Sequence, residues 1–133
     1  MKKLLIIYHT QGGNTGAMAD AVRRGANHED ISVQVKFISA GRAGTYDLMW
    51  CDGLIIGTPE NFGYMSGAIK DFLDRTFYPL EGKLEGLPYA IFVSASNDGT
   101  GAVNSIRRIA NGFPLKEVQP PIICRGELAS TAS

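Results

Sequence analysis

The chain has 133 residues, 44% of them hydrophobic and 20% charged, with 13 basic residues set against 13 acidic ones. That length is one domain's worth, and the composition belongs to a folded globular chain rather than a disordered one. A formal net charge of zero with no block of like charges excludes a surface built to attract nucleic acid or anionic lipid.

Met1-Lys2-Lys3 leads into Leu4–Tyr8, a continuous apolar run of the kind found in a strand buried on both faces. The run is too short for a secretory signal and no small-residue cleavage site follows it. No apolar stretch approaches the ~18 residues a membrane helix requires. Cys51 and Cys124 are distant and lack metal-type spacing, so both are expected as free thiols. A cytoplasmic, single-domain protein over residues 1–133 is the expectation.

Gly12, Gly13 and Asn14 break the first strand, and Met18, Ala21, Val22, Gly25 and Ala26 then recur at helical spacing, with Arg23 and Arg24 in the last turn. Ile31–Ile38 alternates apolar and polar residues, the rhythm of a strand near an edge. After Gly41 and Gly44 a short segment can place Tyr46, Met49 and Trp50 on one helical face, with Met49, Trp50 and Cys51 assigned to the core. Leu54–Gly57 is the third strand. Met65, Ala68, Ile69, Phe72, Leu73, Thr76 and Phe77 make the clearest helix, with Lys70, Asp71, Asp74 and Arg75 opposite. Tyr89–Val93 is the fourth strand. A helix over residues 100–111 carries Ala102, Val103, Ile106, Ile109 and Ala110 on one face, Arg107 and Arg108 on a solvated one, and stops at Asn111-Gly112. Lys116–Val118 and Pro121–Cys124 form a last extended stretch. Strands alternating with helices in this way imply a parallel sheet covered on both sides.

Such sheets bind ligands beyond the carboxyl ends of their strands, where strand order reverses. Three polar loops stand there: residues 9–15, residues 58–67 and residues 94–101. The first runs from two glycines straight into a helix, whose unpaired N–H groups and positive dipole end can hold an anion without Lys or Arg. As an ordinary turn it needs only Thr15 as helix cap. A nucleotide P-loop is excluded because no Lys follows these glycines, and the dinucleotide fingerprint fails at Gln11. A cysteine phosphatase would need its nucleophile in this first loop, but no Cys occurs between Met1 and Trp50, and a receiver domain would need an Asp where Thr58-Pro59 stands.

Together, Tyr8–Thr15, Gly57–Gly67 with Lys70–Asp74, and Ser94–Gly101 make the chain resemble the flavodoxin-like FMN-binding flavoproteins, closest to the NAD(P)H:quinone oxidoreductase and FMN-reductase branch. The resemblance runs from Lys3 to about Glu127, and the middle segment is its most specific part. It implies a three-layer α/β sandwich on a five-stranded parallel sheet of order 2-1-3-4-5. It also implies FMN as cofactor, NAD(P)H as transient donor, and a quinone or similar small acceptor. By resemblance the first loop supplies Thr10, Gln11, Gly12, Gly13, Asn14 and Thr15, mainly to the phosphate. Thr58, Pro59, Glu60, Asn61, Phe62, Gly63 and Tyr64 would line the flavin ring. Ser94, Ala95, Ser96, Asn97, Asp98, Gly99 and Gly101 would close its far side. No side chain is required as acid or base, because flavin carries the chemistry.

Two further classes stand beside a reductase: a flavodoxin-type electron carrier, and a flavodoxin-fold interaction protein without flavin. Zero net charge and a fourth loop without an aromatic favour the reductase over the carrier. His9, beside the glycine turn, is left open as a phosphate or ribityl contact, and His28 is expected as a solvated helix-end residue. After Cys124-Arg125-Gly126 only seven residues remain, too few for the full helix that relatives place there. One sheet face is therefore expected to lack cover, with a second subunit filling it in a homo-oligomer, or a longer chain supplying it.

Overall fold

The computed structural model describes residues 1–126. Strands β1 (Lys2–Tyr8), β2 (Val33–Ser39), β3 (Gly53–Pro59) and β4 (Pro88–Ala95) alternate with helices α1 (Asn14–Ala26), α2 (Thr45–Trp50), α3 (Gly67–Leu80) and α4 (Thr100–Gly112). Two short strands, β5 (Lys116–Glu117) and β6 (Ile122–Arg125), both pair parallel with β4, the first beside Pro88-Tyr89 and the second beside residues 92–95. They occupy one edge position, broken between residues 118 and 121 where Pro120 and Pro121 cannot donate to a ladder. The sheet order is therefore 2-1-3-4-5, as expected, every pairing is parallel, and the flavodoxin-like architecture follows.

Register decides which side chains share a face. Leu5, Ile7, Leu54, Ile56, Ile91 and Val93 point to the side covered by α2, α3 and α4, where the larger core forms. Ile6 and Phe92 point to the other side, against Met18 and Ala19 of α1. Burying a large aliphatic side chain contributes roughly 1.5–3 kcal/mol, so these two faces hold the crossovers in place. Arg75 of α3 donates to the carbonyls of Ala40 (3.0 Å) and Ala43 (2.9 Å), tying α3 to the loop after β2.

Several expectations need correction. β2 begins at Val33, and Ile31 is exposed, because His28–Asp30 form a turn closed by the Ile31 N–H to the His28 carbonyl. The buried stripe of α1 is Thr15, Met18 and Ala19 with Val22 half-buried. Ala21 and Gly25 lie outside it, since α1 is turned so that Ala21 borders an apolar groove instead. Tyr46 and Met49 are exposed, and Leu48 is the one residue of this six-residue rim helix that is fully buried in the core. Cys51 is buried and Trp50 half-buried, under the ammonium of Lys36. Arg108 is exposed and Arg107 partly so, but Arg107 also grips Glu117 of β5 bidentately at 2.7 and 2.8 Å.

Among the described residues α1 is the one helix on its face of the sheet, and a groove lined by Met18, Ala21, Val22, Phe92, Ile122 and Cys124 runs beside it. The expected truncation of the last helix concerns residues 127–133, which lie outside the described residues. No helix among the described residues is long and apolar enough to cross a membrane.

Candidate cofactor-binding site

At the carboxyl ends of β1, β3 and β4, three loops converge on a cleft of about 510 Å³. Its wall consists of Gln11, Gly12, Asn14 and Thr15 from the first loop, Pro59, Glu60 and Asn61 from the second, Ser94, Ala95 and Ser96 from the third, and Gly126 after β6. A cleft of this size is in the ordinary range for small-molecule and cofactor sites.

The first loop opens α1 without a side-chain cap. Gly13 takes the N-cap position at φ 94° and ψ −19°, a left-handed conformation that a residue with a Cβ adopts only under strain. The Gly13 N–H donates to Thr10 Oγ1 at 3.2 Å, which holds the turn from inside. Thr15 is thus in the first turn rather than at the cap, and its hydroxyl is buried against Ser94 Oγ at 2.5 Å. Neither Gly12 nor Gly13 would meet an atom within 4 Å if it carried a Cβ, so the space above the turn is open. Among the described residues the first-turn amides of Thr15 and Gly16 meet no carbonyl or side-chain acceptor. Such a cradle suits a phosphate: backbone donors at a helix start, a dipole of the right sign, and no acidic residue in the first turn.

The second loop is a tight turn. Asn61 and Tyr64 exchange N–H···O bonds of 2.8 and 3.0 Å across Phe62 (φ 52°) and Gly63 (φ 71°). A phenylalanine in this region costs on the order of 1–3 kcal/mol, and strain of that kind concentrates at functional sites. The Phe62 ring stands fully exposed at the tip. Asn61 Nδ2 donates to Gln11 Oε1 at 2.8 Å, bridging the first and second loops over the cleft. Beneath the turn, Thr58 Oγ1 accepts from Ser66 N at 2.9 Å and Ser66 Oγ accepts from Ile69 N, so α3 starts from a fully buried serine cap.

The third loop reaches α4. Glu60 sends its carboxylate across to it, with Oε1 accepting from Gly99 N at 3.0 Å and Oε2 from Ala102 N at 3.2 Å. Arg125 Nε donates to the Asp98 carbonyl at 2.9 Å, and Asn14 Nδ2 donates to the Gly126 carbonyl at 3.3 Å. The end of β6 therefore closes the cleft from the sheet edge, a wall that sequence reasoning missed. A glycine directly after the last strand was its one signal.

Ten of the sequence-expected residues thus line one cleft. Thr10, Gly13 and Thr58 support it from behind by hydrogen bonds, whereas Phe62, Gly63, Tyr64, Asn97, Asp98, Gly99 and Gly101 stand outside its wall. Tyr64 borders a separate groove between α3 and α4. His9 is also outside the wall, its N–H spent on the Gly57 carbonyl at 3.1 Å. His28 Nδ1 accepts from Asp30 N at 3.2 Å on the exposed surface.

A family profile described as NADPH-dependent FMN reductase matches residues 39–123. The chain belongs to that family. Among curated relatives, a flavodoxin of Aquifex aeolicus (strain VF5) is 37% identical over 102 residues, 76% of this chain and 54% of the relative. An NAD(P)H dehydrogenase (quinone) of Acidithiobacillus ferrooxidans (strain ATCC 53993 / BNL-5-31) is 33% identical over 121 residues, 76% of this chain and 60% of the relative. The chain therefore spans a little over half the length of these curated relatives. Oxidised Flavodoxin 1 from Bacillus cereus superposes with a TM-score of 0.79 at 21% identity, covering 94% of this chain and 85% of that one. A WrbA-like flavodoxin from Agrobacterium tumefaciens gives a TM-score of 0.77 at 21% identity, covering 95% and 84%. These likenesses to solved structures establish the fold.

Proposed function

We propose that this family member is an FMN-dependent oxidoreductase that takes electrons from NAD(P)H and delivers them to a quinone or a similar small acceptor. The observation that carries the reading is the opening of α1: an uncapped helix start of open glycines facing a cleft walled by the three switch-point loops. Bound FMN would supply the two-electron chemistry, accepting a hydride from NAD(P)H and passing electrons on.

The chain's own contribution is binding and orientation. Amides of Gly12, Thr15 and Gly16 would meet the phosphate, while Pro59, Glu60 and Asn61, joined to the β4 end by the Glu60 N–H to the Ser94 carbonyl at 2.9 Å, would line the space for the ribityl and ring together with Ser94–Ser96. The Gln11–Asn61 bridge fixes the distance between the two loops. Residues 94–101 contain no aromatic that would cover a ring face, which leaves one side accessible to a nicotinamide or a quinone.

The flavodoxin relative supports a second reading, an electron carrier that turns over only with a protein partner. The test is a visible spectrum before and after addition of FMN, followed by anaerobic NADPH titration and steady-state assay with a quinone. Bleaching by NADPH and catalytic NADPH consumption with quinone support the reductase. A flavin spectrum that NADPH leaves unchanged supports the carrier, and failure to take up FMN overturns both. Self-association, expected from the sequence, belongs to the same proposal and is read by sedimentation velocity.

A further inference from the structure

Helices α1 and α4 open in the same way. Gly13 precedes α1 at φ 94° and ψ −19°, Gly99 precedes α4 at φ 95° and ψ −20°, and neither offers a side-chain cap. Both openings follow strands that end at the cleft, and helix starts of this kind attract anions. Among the described residues, their acidic partners differ. The two carboxylate oxygens of Glu60 sit on the Gly99 and Ala102 amides of α4, and no acidic side chain lies in the first turn of α1.

We propose that Glu60 is a positioning residue that fills the opening of α4 as an internal anion, so that a phosphate entering the cleft is directed to α1. Its negative charge both satisfies the α4 dipole and repels a second anion from that helix. The same contact docks the strained Asn61–Tyr64 turn onto α4. Met65 N donates to Ser105 Oγ at 3.0 Å, the Ser105 hydroxyl donates to the Ala102 carbonyl at 2.8 Å, and a Cβ on Gly101 would lie 2.2 Å from the Gly63 carbonyl oxygen. The turn beside the cleft and the start of α4 are thereby one packed unit, with Glu60 as its charged pin.

The assignment deepens the FMN reading, yet its test needs no flavin. The full chain, free of FMN, is titrated with inorganic phosphate while backbone amide shifts and hydrogen exchange are followed in wild type, Glu60→Ala, Glu60→Gln and Glu60→Asp. In wild type, phosphate is expected to move the amides of residues 12–16 and leave those of residues 99–102 in place. Glu60→Ala should speed exchange at Gly99 and Ala102 at least about tenfold, the loss of a charge-assisted hydrogen bond, and let phosphate move both sets. Glu60→Gln, which keeps shape but not charge, should also admit phosphate at α4 and guards against misfolding of the alanine variant. Glu60→Asp keeps the charge on a shorter arm, so it should exclude phosphate from α4 while protecting its amides less. The proposal is overturned if wild-type α4 responds to phosphate as strongly as α1, if α1 does not respond, or if both neutral variants leave α4 as in wild type. Loss of the FMN reading alone would show as this same pattern in a chain that ignores FMN.

Discussion

Thr15 and Ser94, from the first helix and the fourth strand, share a buried hydroxyl–hydroxyl hydrogen bond of 2.5 Å at the floor of the cleft. One O–H is spent on that bond and the other hydroxyl hydrogen remains for the cleft. Thr15→Val keeps the shape but leaves Ser94 without its partner, and should cost roughly 1–2 kcal/mol in denaturant unfolding. A double-mutant cycle with Ser94→Ala should return a coupling of about 1 kcal/mol. Additive effects would mean that the two hydroxyls do not support one another.

Gly57 lies directly opposite Phe92 in the β3–β4 register, and a Cβ there would fall 1.9 Å from the Phe92 ring. Phe92 is buried beneath α1, so the ring has little room to yield. Gly57→Ala should destabilise by about 3 kcal/mol or more, and Gly57→Ala with Phe92→Leu should recover part of that. Thermal melts of the single and double variants decide it.

The two thiols should differ sharply. Cys51 is buried, its Sγ donating to the Leu48 carbonyl, and desolvation pushes its pKa up to about 11. Cys124 is half-buried on the edge strand. At pH 8 a thiol reagent should therefore titrate Cys124 in the native protein and reach Cys51 only on unfolding. Two thiols reacting at equal rates would contradict the packing.

Arg107 holds the Glu117 carboxyl below its ordinary range, through the bidentate hydrogen bond first and charge second. A carboxylate whose pKa is lower folded than unfolded adds stability above its unfolded value, and that stability is lost as pH falls from about 4.5 through the folded value. The pair is partly exposed, so its worth is roughly 0.2–1 kcal/mol. Glu117→Gln should lose that amount at pH 7 and match wild type near pH 2. Unfolding free energies measured at both values check it.

Much of this fold was legible because the buried strands β1, β3 and β4 are continuous apolar runs and α3 carries an unbroken stripe. Legibility failed at the rim. In α2, six residues permit more than one amphipathic reading, and Tyr46 and Met49 fell on the solvent side. In α1, Ala21 and Gly25 belong to the pattern by spacing, but the helix is set against Phe92 through Met18 and Ala19 instead. The three loops of the candidate site were readable from turn residues and their placement after strands. The jobs within them were not, since Glu60 finds Gly99 and Ala102 some forty positions away and Thr15 finds Ser94 across two strands. No local spacing encodes such pairs.

The central claim is that the amides opening α1, with no cationic side chain, hold the phosphate of FMN. Calorimetric titration of the flavin-free protein with FMN and with riboflavin isolates that group. Two or more charge-assisted hydrogen bonds at roughly 1.5–3 kcal/mol each predict that FMN binds at least about a hundredfold more tightly than riboflavin. Equal affinities for the two would contradict it.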